Sequence, residues 1–223
     1  MSVAKTVANH TANFDPVARI YRWAEYLALG PLLQRTRTHF LPQVAHTRHA
    51  FVLGDGDGRF LAKLLQQNRS LQALAVDSSD KMLALLLSRC DSARVKTVHA
   101  NALTQTPPLN TDLVVTHFFL DCFTQSDVDK LALQIGRAVQ PGTLWLISDF
   151  RIPERGAIRP VARAYVRSLY FAFRVLTGLR VTQLPNHATA LCAAGFHRVA
   201  SHLHLGGVLF SELWQRSEQH AKQ

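Results

Sequence analysis

The sequence predicts an α/β fold: a seven-stranded, mostly parallel, doubly wound sheet of Rossmann-like type, with a C-terminal antiparallel hairpin and a helical cover. Three observations support this prediction. Between residues 50 and 150, short apolar runs alternate with stretches of helical spacing, which is typical of parallel strands covered by helices on both faces. A glycine-rich loop, residues 54–58, joins the first apolar run to the first helical stretch. Near the C-terminus, two alternating segments flank Gly206 and Gly207, which indicates a hairpin.

Each element follows in order from the spacing of its apolar residues. Residues 16–41 predict two helices separated at Gly30 and Pro31. Strands are expected at residues 50–53, 71–76, 94–100, 112–120 and 143–149. Helices are expected between them at residues 59–67, 80–90 and 126–139, and Ser79 is a candidate N-cap for the second of these. A long helix at 158–177, a short helix at 188–194 and hairpin strands at 196–205 and 208–214 complete the prediction.

The composition is that of a globular protein. Hydrophobic residues make up 48% of the 223 residues and charged residues 18%, which excludes a disordered or fibrous chain. The longest apolar run, residues 83–87, is far shorter than the roughly 20 residues of a membrane-spanning helix, and residues 1–15 contain no hydrophobic signal core. We therefore expect a soluble, cytoplasmic protein. Three widely spaced cysteines, Cys90, Cys122 and Cys192, predict buried thiols and no disulfide framework.

The net charge of +10 is concentrated in two segments. Residues 1–50 carry a net +4 and residues 151–180 a net +6, whereas residues 51–150 carry a net −1. In the long predicted helix, four arginines fall on an arc of about 80°. They are Arg159, Arg163, Arg167 and Arg174. A solvated face is one interpretation of this stripe, and the alternative is a surface that contacts an anionic acceptor or an anionic membrane.

The loop at residues 54–58 has the sequence GDGDG, and its glycines let the backbone pass close to a ligand at the N-terminus of a helix. This spacing differs from the GxGxxG fingerprint of dinucleotide-binding folds and lacks the GK[ST] of a phosphate loop. Asp55 and Asp57 would repel a pyrophosphate, so the loop favours a ligand with an amino or sulfonium group. Asp77, 19 residues after Gly58, is placed to accept hydrogen bonds from ribose hydroxyls. The alternative is an ordinary turn with an exposed aspartate.

Four segments, VLGDGDG, AVDSSDKML, HANAL and DLVVTHFFLDCF, resemble in order and spacing the successive motifs of class I S-adenosylmethionine-dependent methyltransferases. The hairpin is similar to the antiparallel sixth and seventh strands of that family. Within the family, the chain most resembles the small-molecule branch that includes the ubiquinone and menaquinone biosynthesis methyltransferases. The resemblance implies S-adenosylmethionine as cofactor, with S-adenosylhomocysteine as its product. It also implies a cofactor site made of Tyr21, Gly54, Asp55, Gly56, Asp57, Gly58, Asp77, Ser78, Met82, Asn101 and Ala102.

The resemblance also implies which part of the cofactor each of these residues would contact. The glycine loop would meet the methionine part, Asp77 the ribose and Asn101 with Ala102 the adenine, while Ser78 and Met82 would flank the adenosine. Two positions depart from the family pattern. Val52 stands where an acidic residue is usual, so we expect Asp55 or Asp57 to contact the amino group of the cofactor. Asn101 replaces an aspartate, and its side-chain oxygen can still accept a hydrogen bond from the adenine amino group.

Ligands of open α/β sheets lie beyond the carboxyl ends of the strands, and the fourth predicted strand ends in the segment HFFLD, residues 117–121. We expect Thr116 and His117 at the cofactor and Phe118 at the acceptor. Methyl transfer is a displacement at a sulfonium carbon, so the enzyme aligns the acceptor and, for a hydroxyl or ammonium acceptor, removes a proton. His117 or Asp121 is the candidate catalytic base. In the structural alternative, His117 only packs beside the cofactor and Asp121 caps a turn.

The stretch after the fifth strand often covers the acceptor pocket in the family that this sequence resembles. This implies a covering role for the long basic helix, with Tyr165, Arg167 and Tyr170 as substrate-binding residues. We therefore expect one domain of four segments. They are a helical cover at 1–49, a cofactor-binding core at 50–150, a basic helical lid at 151–180, and a C-terminal helix with the hairpin at 181–223.

We expect no metal site. His197, His202 and His204 lie on a predicted strand, where the HxH pattern could bind a metal, but no carboxylate or cysteine stands near them at ligand spacing.

The favoured function is an S-adenosylmethionine-dependent methyltransferase acting on an oxygen or nitrogen atom of a small, hydrophobic or anionic acceptor. The basic footprint leaves nucleic-acid methylation as an alternative, although the fourth strand has THFFLDCF in place of an NPPY-type signature. A module that binds the cofactor without catalysis and an NAD-linked oxidoreductase are further alternatives. The sequence leaves the oligomeric state open, with a homodimer among the alternatives.

Overall fold

A computed structural model describes residues 30–153, 159–177 and 183–218, with side chains for all of these except 169–177. The described helices are α1 (Gly30–Thr38), α2 (Leu41–Val44), α3 (Arg59–Gln67), α4 (Asp80–Arg89), α5 (Gln125–Ala138), α6 (Arg159–Thr177) and α7 (His187–Ala193). The described strands are β1 (His49–Leu53), β2 (Gln72–Asp77), β3 (Val95–His99), β4 (Leu113–His117), β5 (Leu144–Phe150), β6 (Phe196–His204) and β7 (Leu209–Arg216).

These strands form one sheet in the order β3-β2-β1-β4-β5-β7-β6. The first five run parallel to one another, and β7 pairs antiparallel with both β5 and β6. The chain order reverses at β1, where Leu53 pairs with Val76 on one side and with Thr116 on the other. A crevice for ligands forms at the carboxyl ends of the strands at such a switch point. The predicted Rossmann-like sheet with its antiparallel hairpin is confirmed.

Alternate residues of β1 divide the core into two layers, because successive side chains of a strand point to opposite faces. Ala50 and Val52 pack in the layer covered by α3, and Phe51 and Leu53 pack in the layer covered by α5. The first layer includes Phe60, Leu61 and Leu64 of α3, and the second includes Val128, Leu131 and Ile135 of α5. Each fully buried leucine or phenylalanine contributes about 1.5–3 kcal/mol. The sheet is therefore covered by helices on both faces, as the sequence predicts.

Polar side chains fix where helices begin. Ser79 Oγ accepts a hydrogen bond from the Met82 N–H at 3.3 Å, so the predicted N-cap of α4 is confirmed. At α5, Thr124 and Asp127 form a capping box in which each side chain accepts the backbone N–H of the other, both at 3.3 Å. Such caps contribute about 1 kcal/mol each and hold the loops before the helices in place.

The fourth strand is shorter than predicted. β4 ends at His117, and the prediction of a strand through residues 118–120 is wrong. Phe118 has a left-handed backbone conformation, with φ 51°, while its N–H donates to the Ser148 carbonyl at 2.7 Å. This conformation is rare for a bulky side chain and turns the chain out of the sheet into the short 3-10 helix Leu120–Cys122.

The other predicted strand and helix boundaries after residue 48 agree with the structure to within two residues, where the structure describes them, whereas the helix predicted to end at residue 41 ends at Thr38 and is followed by the separate short helix α2. At the hairpin, the short 3-10 helix Leu205–Gly207 forms the turn. Of the two helices predicted at residues 16–41, the part before Gly30 lies outside the described residues. Among the helices that the structure describes, none combines the length and apolar composition needed to cross a membrane.

Candidate active site

The loop between β1 and α3 holds three glycines in the left-handed backbone region, Gly54, Gly56 and Gly58. A Cβ added at Gly54 would clash with the Phe119 ring, and one added at Gly58 would lie 2.9 Å from the Leu86 Cα. At Gly56, no described atom lies within 4 Å of that position. The backbone at Gly56 therefore faces open space in the described part of the chain, and this is where a ligand can approach it closely.

The two acidic residues of the loop have different surroundings. Asp57 Oδ2 pairs with Arg59 Nε at 2.9 Å and with an Arg89 guanidinium nitrogen at 3.1 Å, so its charge is already balanced within the protein. Asp55 Oδ2 accepts the Leu61 N–H at 3.0 Å, and burial raises the pKa of Asp55 to about 7 although the Arg37 charge opposes the rise. Asp57 is thus paired with two arginines, whereas the Asp55 carboxylate accepts a backbone N–H.

Asp77 ends β2 beside this loop. Its Oδ1 accepts the Ser79 N–H at 2.9 Å, and the backbones of Ser78 and Gly56 also donate to the carboxylate. Burial nevertheless raises the pKa of Asp77 to about 6. The carboxylate thus connects the end of β2 to the glycine loop and has further lone pairs for a ligand hydroxyl.

Next along the same edge, Asn101 follows β3. Its Oδ1 accepts the Leu103 N–H at 3.0 Å and caps the short 3-10 helix Ala102–Thr104. Ala102 is buried, Ser78 is exposed and Met82 is half-buried. The structure therefore places the predicted adenosine residues along neighbouring strand ends.

At the end of β4, two predicted cofactor residues have different environments. The Thr116 hydroxyl accepts the Trp145 indole N–H at 3.0 Å and is buried in the core. Its side chain therefore already has a hydrogen-bond partner within the protein. The buried His117 ring packs edge-on against Phe60 at 4.4 Å. Among the described residues, neither ring nitrogen of His117 has a hydrogen-bond partner. Burial and the Arg37 charge hold the pKa of His117 well below its usual value, so the ring is neutral at pH 7.

Asp121 lies beside Asp149, which the sequence prediction missed. The Asp121 N–H donates to Asp149 Oδ2 at 3.2 Å, and both side chains are buried. Burial raises the pKa of Asp121 to about 6 and, with the Asp121 charge, raises the pKa of Asp149 well above its usual value. Asp149 could have been found by the signal that identified Asp77, since both are acidic residues near the carboxyl end of an apolar strand.

Aromatic rings continue from this pair toward α6. The Phe118 ring lies 5.1 Å from the Phe150 ring, which in turn lies 6.5 Å from the half-buried Tyr165 ring. The buried Arg37 guanidinium lies 5.0 Å above Phe118. Arg37 was missed because only the tertiary structure brings it to the strand ends, and Phe150 was missed although it ends β5. An aromatic row with a cation at one end suits a flat, apolar or anionic ligand.

The remaining predicted site residues lie away from this row or outside the described part. Arg167 is exposed on α6. Tyr170 lies on the same helix, but its side chain is not among those described, and Tyr21 lies outside the described residues. Of the hairpin histidines, His197 is exposed, with Nδ1 3.0 Å from Ser217 Oγ. The expectation of no metal site considered this hairpin alone, whereas the structure places His39 against His202 and His204.

Residues 51–142 match a protein family described as a methyltransferase domain. By this similarity we refer to residues 51–142 as the methyltransferase domain. The match begins in β1 and ends just before β5, so it includes the glycine loop, Asp77 and Asn101. Asp149 and the α6 side chains lie beyond the matched residues of the methyltransferase domain.

Solved structures share the fold of the methyltransferase domain and its C-terminal hairpin. An O-methyltransferase family protein from Burkholderia thailandensis is 18% identical, with a TM-score of 0.69 over 91% of this chain and 60% of that one. The N,N-8-amino-8-demethyl-D-riboflavin dimethyltransferase of Streptomyces davawensis is 22% identical, with a TM-score of 0.64 over 91% and 60%. A methyltransferase of calicheamicin biosynthesis, solved in its SAH-bound form, is 19% identical, with a TM-score of 0.64 over 89% and 56%.

The chain thus spans about three-fifths of the length of these structures. At such identities the similarity shows the fold of the methyltransferase domain alone. No curated protein matches the chain at a significant level.

Proposed function

We propose that the chain is an S-adenosylmethionine-dependent methyltransferase that acts on an oxygen or nitrogen atom of a small, hydrophobic or anionic acceptor. The observation that supports this most directly is the row of Asp55, Asp77 and Asn101 at the carboxyl ends of three adjacent strands within the methyltransferase domain. Structures of the same fold are named for O-methyl and N-methyl transfer, and one was solved with SAH. The cytoplasmic location and the homodimer stay predictions from the sequence.

The residues of this row fit the cofactor chemically. S-adenosylmethionine, when bound, supplies a methyl group on a positively charged sulfur atom. Asp55, with a pKa near 7, becomes an anion as a cationic amino group approaches, and Gly56 leaves space beside it. The Asp77 carboxylate accepts ribose hydroxyls, and the second lone pair of Asn101 Oδ1 accepts an adenine amino group.

We propose that the pair of Asp121 and Asp149 accepts the substrate proton on Asp121, whose pKa is the less raised of the two. A carboxyl group whose pKa is raised toward neutrality is a stronger base than an exposed one, and it works best near its own pKa. His117 is the weaker base because burial keeps its pKa low. We propose that His117 instead orients a ligand through one of its two unpartnered ring nitrogens.

The acceptor pocket that we propose is the aromatic row formed by Phe118, Phe150 and Tyr165. A flat acceptor stacks on these rings, and Arg37 lies where it attracts an anionic substituent such as a carboxylate or phenolate. In this arrangement α6 covers the acceptor through Tyr165. A phenolic or aromatic amine acceptor that also bears a carboxylate matches these groups best.

Calorimetric titration with S-adenosylmethionine, S-adenosylhomocysteine and NAD tests the cofactor. We expect micromolar binding of the first two and none of NAD. Asp77→Asn keeps the shape of the side chain but removes its charge, and it should weaken both interactions by about 10–100-fold. The matched control is Asp91→Asn. It removes an aspartate that precedes β3, at the amino ends of the strands, and it should bind the cofactor as the wild type does. Binding of NAD alone, or of none of the three, would overturn the proposal.

A second candidate is a protein that binds the cofactor without turnover. The observation in its favour is the crowded loop, in which Asp57 is already paired with two arginines and the Phe119 ring lies against Gly54. Release of S-adenosylhomocysteine in the presence of phenols, aromatic amines or aromatic carboxylates distinguishes the two candidates. Turnover that is lost in Asp149→Asn, with cofactor affinity unchanged, supports the enzyme and its proposed base.

We also propose that α6 contacts an anionic surface. Arg159, Arg163 and Arg167 are exposed along one stripe of the helix, while Ala162 and Val166 are buried on the adjacent face. Co-sedimentation with phosphatidylcholine vesicles that contain or lack phosphatidylserine tests this. We expect binding only to the anionic vesicles and its loss in the double variant Arg163→Glu, Arg167→Glu. Equal binding by the double variant would contradict the proposal, and tight binding of RNA or DNA at the same salt concentration would favour nucleic acid as the partner.

A further inference from the structure

Three histidines from two distant parts of the chain meet beside the hairpin. His39 lies in the turn between α1 and α2, and His202 and His204 lie near the end of β6. The His39 ring stacks on the His202 ring with 3.9 Å between centroids and lies 5.3 Å from the His204 ring. One ring nitrogen of each histidine lies within 4.8 Å of the other two. These three residues are called the histidine cluster below.

The histidine cluster has ring nitrogens that are available to a ligand. His204 Nε2 is buried and has no hydrogen-bond partner among the residues that the structure describes. Such a buried polar atom costs free energy unless a ligand or water satisfies it. Burial and the His202 charge lower the pKa of His39, and burial with the charges of His202, His39 and Arg35 lowers the pKa of His204.

We propose that His39, His202 and His204 bind one divalent transition-metal ion of the Zn²⁺ type. Three imidazoles with a fourth position for water form a tetrahedral zinc site, with Zn–N distances of about 2.0–2.1 Å. Because the cluster contains no carboxylate, it does not suit Mg²⁺ or Ca²⁺, which prefer oxygen ligands.

Formation of this site requires the His202 ring to rotate off its stack on His39, because two parallel stacked rings cannot both direct an in-plane nitrogen lone pair at one ion. In a tetrahedral site the ring nitrogens lie about 3.4 Å apart, so the most distant pair closes by about 1.4 Å. His202 is exposed and its rotation is not opposed by core packing. The Arg35 charge near His204 opposes cation binding.

The ion would join α1 to the C-terminal strands. Ser148 Oγ already bridges these parts, at 3.3 Å from the Thr36 carbonyl and 3.2 Å from Ser211 Oγ. A metal held by His39 would add a second connection one turn further along, so that Arg37 lies between the two. We therefore expect the ion to stabilise the packing of α1 and, through it, the position of Arg37 above Phe118. This site needs no cofactor or acceptor, so it can be tested independently of the proposed activity.

The experiment is a titration of the full, tag-free chain with ZnCl₂ after treatment with a chelator, followed by calorimetry. Visible absorption after addition of Co²⁺ reports whether the coordination is tetrahedral. We expect one ion per chain at micromolar or tighter affinity, and a thermal midpoint raised by on the order of 5 °C at a hundredfold excess over Kd. His202→Ala and His39→Ala should each weaken binding by more than about tenfold. His197→Ala, on the same strand but outside the cluster, should bind as the wild type does.

Two results would overturn the proposal. One is the absence of binding at high micromolar Zn²⁺. The other is wild-type affinity in His202→Ala, since the ion would then lie elsewhere. His202 is exposed, so its replacement should preserve the fold, and a circular dichroism spectrum and urea midpoint check this before titration. If His39→Ala unfolds, His204→Asn provides the second variant.

Discussion

The backbone N–H of Asp121 donates to the Oδ2 atom of Asp149 at 3.2 Å, so two buried carboxyl groups meet at the carboxyl ends of β4 and β5. Burial disfavours ionisation of both groups, and the Asp121 charge further disfavours ionisation of Asp149. The two groups therefore titrate as a pair and hold a proton at a pH where an exposed aspartate is fully ionised. Perturbed carboxyls of this kind cluster at functional sites.

This pair predicts that the folded state loses stability as the pH rises. A carboxyl group with a higher pKa in the folded than in the unfolded state binds its proton more tightly when folded. Its stabilising contribution is complete below about pH 4 and is lost as the pH rises through its folded pKa, about 6 for Asp121. Asp149→Asn removes one titrating group. We expect it to reduce the loss of unfolding free energy between about pH 5 and pH 8 by roughly 1–3 kcal/mol.

Urea unfolding at the two pH values measures this difference. Glu218→Gln is the matched control, because it removes an exposed carboxyl group and should leave the pH dependence as in the wild type. An unchanged pH dependence in Asp149→Asn would mean that Asp149 is ionised in the folded state.

The glycine loop offers a second prediction. Gly56→Ala places a Cβ in open space at a positive φ of 60°, so it costs about 1 kcal/mol of backbone strain and obstructs the approach of a ligand. Gly142→Ala has the same open surroundings and a φ of 86°, but it lies between α5 and β5, far from the loop. We expect similar losses of stability in the two variants, measured by urea unfolding. Only Gly56→Ala should weaken cofactor binding, by more than about tenfold, and equal binding by the two variants would exclude a close approach at Gly56.

A third prediction tests whether the Thr116 side chain stabilises the core or binds the cofactor. Thr116→Val preserves the shape of the side chain but removes the oxygen that accepts the Trp145 indole N–H. Leaving that buried donor unpaired should lower the unfolding free energy by about 1–3 kcal/mol. Cofactor affinity should not change, because the side chain lies in the core. A tenfold loss of affinity with normal stability would instead return Thr116 to the cofactor site, where the sequence predicted it.

The residues that the sequence placed at the carboxyl ends of the strands were located by local patterns. The glycine loop, Asp77 and Asn101 each follow an apolar strand directly, and parallel strands bring their carboxyl ends to one edge. The position of each residue along its strand was therefore enough to place it. The same reasoning predicted nearly all strand and helix boundaries.

Other features depend on contacts between distant segments, which spacing along one element does not encode. Asp57 was expected to contact a ligand, but it forms a salt bridge with Arg89. Asp57 precedes α3 and Arg89 ends α4, so this contact depends on how the two helices pack. His39 meets His202 only because α1 packs beside the end of the hairpin. The strand was predicted to continue through Phe118 because the apolar pattern continues, whereas the backbone turns away with a positive φ. Each case required the tertiary arrangement to be known first.

A buried charged residue in β7 supports the final prediction. Glu212 accepts hydrogen bonds from Arg198 at 2.8 Å and from the Trp214 indole N–H at 2.9 Å, and its carboxylate lies 2.9 Å from His187 Nε2. Burial alone would raise the pKa of Glu212, but the hydrogen bonds and the His187 charge hold it below its usual value. The ionised carboxylate thus connects β7 to α7 and β6.

Glu212→Gln keeps the shape of this side chain and removes its charge, so one amide oxygen replaces two charged acceptors. We expect it to lower the unfolding free energy by roughly 1–3 kcal/mol at neutral pH. Because the pKa of Glu212 is lower in the folded state, its contribution is present above the unfolded pKa of about 4.5 and is lost as the pH falls through the folded value. The difference between wild type and variant should therefore shrink in acid. Urea unfolding from neutral pH down to about pH 3 measures it, and a difference that stays constant into acid would show that the charge of Glu212 does not stabilise the hairpin.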